Sequence, residues 1–199
     1  MRYLTAALLA SMLTACMPAV SRFYLPDDKS LASEGVTCGF MPWGHVRIRL
    51  AEGVTASVSL IPKNGVLAAK IGLSISTGTT VRFSKPEVRF TDISTGKELS
   101  VLLEGWRVSV YGRDGHPGYF DNYAPDALLE GRGRNADLAG KDTAYLKTDN
   151  FESGATIEAP AVKELVMTLP TIEINGTAVQ SKPILLRLIE KAGVMSLCT

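Results

Sequence analysis

Short runs in which apolar and polar residues alternate fill most of the chain after Cys38. In "HVRIRL", Val46, Ile48 and Leu50 fall on one face and Arg47 and Arg49 fall on the other. A period of two is the spacing of side chains along a β-strand with one buried face. The same alternation recurs in "TASVSLI", "VLAAKIGLSIS", "TVRFSKPEVRF", "WRVSVY", "LVMTL" and "PILLRLI". These runs predict eight or nine strands.

Turn signals separate the runs at short intervals. Asn175-Gly176 lies between two apolar arms and predicts a tight hairpin, because both residue types tolerate positive φ. Thr95-Gly96 predicts a second turn, and Pro86 predicts an edge or a bulge because proline cannot donate to a strand ladder. No long helical pattern stands between the strands. The sequence therefore predicts an all-β domain over residues 38–199, an antiparallel β-sandwich that is immunoglobulin-like or related.

Residues 112–144 interrupt the alternation. This segment is rich in Gly, Asp and Asn and holds a cluster of aromatics, Tyr119, Phe120 and Tyr123. A loop of this length inside a compact domain is usually functional or disordered. Aromatic side chains on a loop are favoured as contact anchors, which makes these three candidate partner-binding residues. Packing of the loop back onto the sandwich explains them equally well, and both interpretations remain open.

The chain begins with a short apolar segment that ends on a cysteine. Arg2 precedes an apolar stretch from Tyr3 to Leu13, which is too short to span a bilayer that needs about 20 residues. A charged start followed by a short apolar stretch is typical of a signal segment. The last four residues, Leu13-Thr14-Ala15-Cys16, resemble the lipobox of bacterial lipoproteins.

That resemblance implies that residues 1–15 are a signal peptide, cut off before Cys16, and that Cys16 carries the lipid. Palmitate and diacylglycerol chains of this kind hold a protein on a membrane, since two or more chains anchor stably. Residue 17 is Met, whereas the family's usual inner-membrane retention signal is Asp at that position. The resemblance therefore implies the outer membrane, with the domain facing the periplasm. Residues 16–37 show no periodic apolar face and are predicted to be a tether.

The charge balance bears on nucleic-acid binding, and the two remaining cysteines bear on disulfide bonding. Removing residues 1–15 leaves 20 basic and 20 acidic side chains, which does not favour nucleic-acid binding. With Cys16 taken by lipid, Cys38 and Cys198 form an even pair in an oxidising compartment and predict a disulfide bond. In the chain-entropy model, closing a loop of about 160 residues stabilises a fold by about 5 kcal/mol.

The sequence contains no convincing catalytic or metal-binding pattern. The two histidines, His45 and His116, have no ligand spacing between them, and His45 is expected at the surface or at a strand end. His116 lies in the irregular segment, but no nucleophile elbow accompanies it. The acids of that segment do not match a calcium loop, and they are Asp114, Asp121 and Asp126. No metal, cofactor or catalytic residue is therefore predicted.

These observations predict a non-enzymatic envelope lipoprotein, a binding or structural module that contacts a protein partner through residues 112–144 or through a sheet edge. Two other classes remain as alternatives. One is an inhibitor that inserts residues 112–144 into the cleft of a periplasmic or extracellular enzyme. The other is a hydrolase with His116 in its site, which requires a carboxylate and a nucleophile within hydrogen-bond reach.

Overall fold

The chain folds into antiparallel β-sheets arranged as an all-β sandwich-like fold, as the sequence predicts. The computed structural model describes residues 16–36, 42–111, 117–133, 148–159 and 161–196, without the side chains of 16–18, 36, 109–120 and 194–196. Within these residues the strands are β1 (Cys16–Pro26), β2 (Ala32–Val36), β3 (Pro42–Ala51), β4 (Val54–Lys63), β5 (Val66–Ser76), β6 (Thr80–Phe83), β7 (Glu87–Asp92), β8 (Glu98–Leu102), β9 (Trp106–Tyr111), β10 (Pro117–Tyr123), β11 (Leu129–Glu130), β12 (Thr148–Glu158), β13 (Glu164–Thr168), β14 (Ile172–Ile174), β15 (Thr177–Val179) and β16 (Ile184–Ser196). A single 3-10 turn, Lys29–Leu31, separates β1 from β2.

The strands form three sheets. Sheet A has the order β1-β16-β13-β7-β8, sheet B the order β10-β9-β12-β5-β4-β3-β2, and sheet C the order β11-β6-β14-β15. β1 packs against β3 and β4, and β8 lies against β12, so sheet A covers the inner face of sheet B. The predicted alternation is observed in these strands: β4 and β5 bury every second residue over most of their length. Most of the buried apolar side chains in the described part of the chain belong to one continuous core.

The predicted turns take the expected conformations. Asn175 and Gly176 both have positive φ, 50° and 77°, and join β14 to β15. Gly96 has φ 69° in the turn after β7. The carboxylate of Asp92 accepts the hydroxyl hydrogens of Ser94 and Thr95 at 2.7 Å, and these bonds hold the pKa of Asp92 below its usual value.

Pro86 lies between β6 and β7, in neither strand. β6 belongs to sheet C and β7 to sheet A, so the chain changes sheets at this residue. The run "TVRFSKPEVRF" is therefore two strands in two sheets. The proline removes a backbone donor at a place where no ladder bond is needed.

The prediction that residues 16–37 form a tether is wrong for residues 16–26, which form a strand. β1 starts at Cys16 and pairs with β16 residue by residue from Cys16↔Ser196 to Pro26↔Leu186. Phe23 and Leu25 pack over β3 at Gly44, where an added Cβ would lie 2.6 Å from Leu25 Cδ2. Periodicity missed this strand because Phe23, Tyr24 and Leu25 are all buried, so no alternation marks it.

Two hydrogen bonds of the Tyr24 hydroxyl join β1 to the segment before β13. Its hydroxyl donates to the carbonyl of Val162 at 2.7 Å and accepts the N–H of Val162 at 3.1 Å. The ring is 1% exposed, and this burial raises the pKa of Tyr24. Residues 16–26 are therefore part of the folded domain. The predicted disulfide between Cys38 and Cys198 lies outside the described residues.

Candidate functional site

The segment 112–144, predicted to be an irregular loop, contains two strands in its described part. β10 pairs with β9 in regular register from Tyr119↔Val110 to Tyr123↔Trp106, with an irregularity between Pro117 and Tyr119. β11 pairs with β6 in sheet C, and its Leu129 is fully buried. The prediction of one irregular loop over this range is therefore wrong for residues 117–123 and 129–130. His116 and Asp114 lie outside the described residues.

β10 is the last strand of sheet B. Its inner neighbour is β9, and among the residues that the structure describes no strand pairs with its other side. The backbone N–H and C=O groups on such an edge are available to another chain. The three candidate aromatics therefore lie on a sheet edge. Residues 112–144 and a sheet edge, which the sequence predicts as separate partner-binding regions, coincide in this strand.

Tyr123 is the only candidate aromatic whose side chain is described. Its ring is half-buried and meets the ring of Phe151 edge to face, with centroids 5.8 Å apart. The Tyr123 hydroxyl donates to Asp121 Oδ2 at 3.4 Å. Packing against the core is thus the observed role of this ring. Of Tyr119 and Phe120 the structure describes the backbone alone.

A cleft of about 510 Å³ opens beside β10, at the place where β9 leaves β12. β9 and β12 are paired only at Phe151↔Val108 and Glu152↔Arg107. Beyond these pairs the ladder is interrupted: the chain before β9 passes through Gly105 at φ 135°, and the N–H of Glu104 donates to the carbonyl oxygen of Gly154 at 3.4 Å. The cleft is lined by Lys70, Glu104, Gly105, Trp106, Arg107, Asn122, Tyr123, Glu152, Ser153 and Gly154.

Charged side chains cross the outer face of sheet B at this cleft. Lys70 Nζ on β5 lies 2.9 Å from Glu152 Oε1 on β12. Glu152 stands opposite Arg107 on β9, and Arg107 stands opposite Asn122 on β10. The row therefore alternates in sign across three strands and ends on an amide. This row is a consequence of strand register and leaves no local signature in the sequence.

A buried hydroxyl lies at the inner side of the same cleft. Ser153 belongs to the core-facing side of β12 and is 4% exposed. Its Oγ has no hydrogen-bond partner in the described part of the chain. Buried polar groups are almost always hydrogen-bonded, so this hydroxyl is an exception within the described residues. Serine at this position could have been noticed in the sequence, since Phe151 and Ala155 share its face.

His45 lies inside β3 and not before a strand or at its end. Its ring is stacked on that of Trp43 at 5.1 Å with an interplanar angle of 8°. Partial burial, and then the charge of Arg47, lower the pKa of His45. Both rings lie on the outer face of sheet B, one strand in from its edge. Trp43 covers the backbone of Gly35 on the edge strand β2.

The described residues hold no group of three or more His, Cys, Asp or Glu side chains that could bind a metal ion. Asp121 is half-buried on β10 and Asp126 is exposed in the following turn. In the described ranges, no helix has the length and apolar character needed to cross a membrane. Comparisons with protein-family models, curated proteins and solved structures find no match to this chain.

Proposed function

We propose that this chain is a lipid-anchored protein of the bacterial outer membrane that acts by binding an envelope protein, without catalysing a reaction. The anchor follows from the likeness of Leu13 to Cys16 to a lipobox. The binding surface is the outer edge of β10. The observation that carries the proposal is that the aromatic segment singled out by the sequence is an edge strand.

The edge of β10 suits strand addition by an extended segment of a partner. In this mode of recognition backbone hydrogen bonds supply affinity, and side chains at alternate positions supply specificity. Natural sheet edges are commonly blunted by proline and lysine. β10 has Pro117 and an irregularity in register at its start, and the segment "YFDNY" that follows has neither proline nor lysine and is rich in aromatics. By contrast β1, the edge of sheet A, carries Pro18, Arg22 and Pro26.

The anchor is tested by replacing Cys16 with serine. We expect the variant to move from the membrane fraction to the soluble fraction. Each buried methylene of an acyl chain contributes about 0.8 kcal/mol to membrane binding, and serine lacks the thiol to which these chains are attached. The measurement is fractionation of cells together with the mass of the amino-terminal peptide. Met17→Asp is the matched control, expected to stay membrane-bound but to move from the outer to the inner membrane. A Cys16→Ser chain that stays in the membrane fraction refutes the anchor.

The partner surface is tested by a photoreactive residue at Asn122, which is exposed on β10. Irradiation of intact envelopes is expected to give a defined covalent adduct with another protein. The matched control carries the same residue at Lys63, exposed at the end of β4 and far along sheet B. Deleting the whole segment is unsuitable, because it would remove the fully buried Leu129. Absence of an adduct at Asn122, or the same adducts at both positions, contradicts the proposal.

A further inference from the structure

The end of sheet A that contains Cys16 is a ribbon of two strands, residues 16–22 of β1 and 190–196 of β16. These residues pair along the whole ribbon, from Cys16↔Ser196 to Arg22↔Glu190. β13 pairs with β16 only at residues 184–187, so within the described part of the chain the ribbon has no third strand. Because β1 already includes Cys16, a lipid on this residue is joined directly to the folded domain, with no flexible segment between them.

The end of the ribbon at Cys16 is uncharged. Residues 16–20 and 192–196 include no Asp, Glu, Lys or Arg. Charge begins just beyond them, where Arg22 Nε lies 2.8 Å from Glu190 Oε1. A strand rises about 3.3 Å per residue, so the uncharged part is about 13 Å long and Arg22 lies about 20 Å from Cys16 along the strand. The residue with the lipobox signature therefore lies at the uncharged end of the ribbon.

The two faces of the ribbon have different surroundings. Val20 and Ala192 are directly opposite each other and both are exposed, Val20 by 61%. The next residue of β16, Lys191, belongs to the other face and donates to the carboxylate of Glu34 on β2, in sheet B. Positions two apart in a strand share a face, so Cys16 belongs to the face of Val20 and Ala192. The exposed apolar face of the ribbon is thus the face of the lipidated residue.

This face suits a membrane surface. The interfacial layer on each side of a bilayer is about 5–8 Å thick. A ribbon that stood upright on the membrane would hold Val20 about 13 Å above Cys16, beyond this layer and in water. A ribbon inclined along the surface brings both Val20 and Ala192 to the boundary of headgroups and acyl chains, where burial of apolar surface strengthens binding.

We propose that the uncharged end of the ribbon lies on the phospholipid surface, with the face of Val20 and Ala192 against the lipids and the opposite face toward sheet B. This inference rests on the proposed function, because it takes Cys16 as the anchor. It adds a second contact with the membrane, made by the fold itself. The domain is therefore held against the bilayer in one orientation and does not swing at the end of a tether.

The test measures how close two positions of the acylated chain lie to the membrane. A fluorescent amino acid replaces Ala192 in one chain and Lys29 in another, an exposed residue three positions beyond the far end of β1. Each chain is placed in vesicles of phosphatidylethanolamine and phosphatidylglycerol that contain a lipid spin-labelled in its headgroup. Quenching is expected to be at least about threefold stronger at position 192, because position 29 lies up to about 40 Å further along the strand direction.

Val20→Glu tests the apolar face directly. It should lower the quenching at position 192 by about half or more, because a carboxylate opposite Ala192 resists transfer out of water. The matched control is Leu102→Glu, which makes the same change of charge at an aliphatic residue that is 70% exposed on β8, the opposite edge of sheet A. The control should leave quenching unchanged. Urea unfolding shows that both variants are folded.

The mass of the amino-terminal peptide separates the two proposals. A chain that carries no acyl groups overturns the anchor and, with it, this inference. An acylated chain that is quenched equally at positions 192 and 29 leaves the anchor intact and overturns the membrane contact of the ribbon. The same conclusion follows if Val20→Glu and Leu102→Glu have equal effects on the quenching.

Discussion

Replacement of Tyr24 by alanine is expected to lower the free energy of unfolding by about 3–5 kcal/mol, the range observed for removal of a buried aromatic side chain. The ring is 1% exposed and packs in the core, and its hydroxyl holds both the N–H and the C=O of Val162. Val162 is 138 residues away along the chain, so the loss affects the closure of the whole domain. Urea unfolding followed by circular dichroism measures the change.

Val20→Ala provides the control for this substitution. Val20 lies on the same strand but is 61% exposed, so its replacement should change stability by less than about 0.5 kcal/mol. Tyr24→Phe isolates the two hydrogen bonds and should cost about 1–3 kcal/mol, because the groups of Val162 lose their partner. A near-zero effect of Tyr24→Ala would mean that residues 16–26 are a tether, as the sequence predicts, and not a strand.

Replacement of Trp106 by alanine is the second large effect, with an expected loss of about 3–5 kcal/mol. The indole is 1% exposed, stacks on Phe83 with centroids 5.0 Å apart, and donates from Nε1 to the carbonyl of Pro125 at 3.1 Å. It therefore joins β9 to sheet C and to the turn after β10, and it lines the cleft from the inner side. The measurement is again urea unfolding.

The chain has one other tryptophan, which supplies the control. Trp43 is 36% exposed on the outer face of β3, and Trp43→Ala should cost no more than about 1 kcal/mol, the worth of its contact with His45. The Trp43→Ala chain also leaves Trp106 as the single tryptophan, whose emission on selective excitation should be that of a buried indole and should shift only on unfolding. Equal losses for the two tryptophans would contradict the arrangement of sheets B and C described here.

Local pattern was sufficient for most of the strands. β3, β4 and β5 were predictable because each has one dry face, and a period of two needs only neighbouring residues to be seen. The turn at Asn175-Gly176 was predictable for the same reason, since positive φ is a property of these two residue types. β1 was not predictable, because three successive buried residues, Phe23 to Leu25, have no alternating pattern.

The candidate site likewise has one part that was visible in the sequence and one part that was not. Composition identified the aromatic cluster at residues 119–123, but a loop and an edge strand with this composition look alike in sequence. The cleft was not identified at all. Its row of charges depends on Lys70, Arg107 and Glu152, which are far apart in the chain and meet through the register of β5, β12 and β9.

The sequence by itself determined an all-β chain, the faces of strands such as β3, β4 and β5, and its tight turns, because these depend on residues within a few positions of one another. Tertiary structure alone decided that residues 16–26 complete a sheet, that Pro86 separates two sheets, and that Ser153 lies within a buried row beside a polar cleft. Strand pairing between residues up to 180 positions apart produces these features, as in Cys16↔Ser196. No local pattern encodes a partner at that distance.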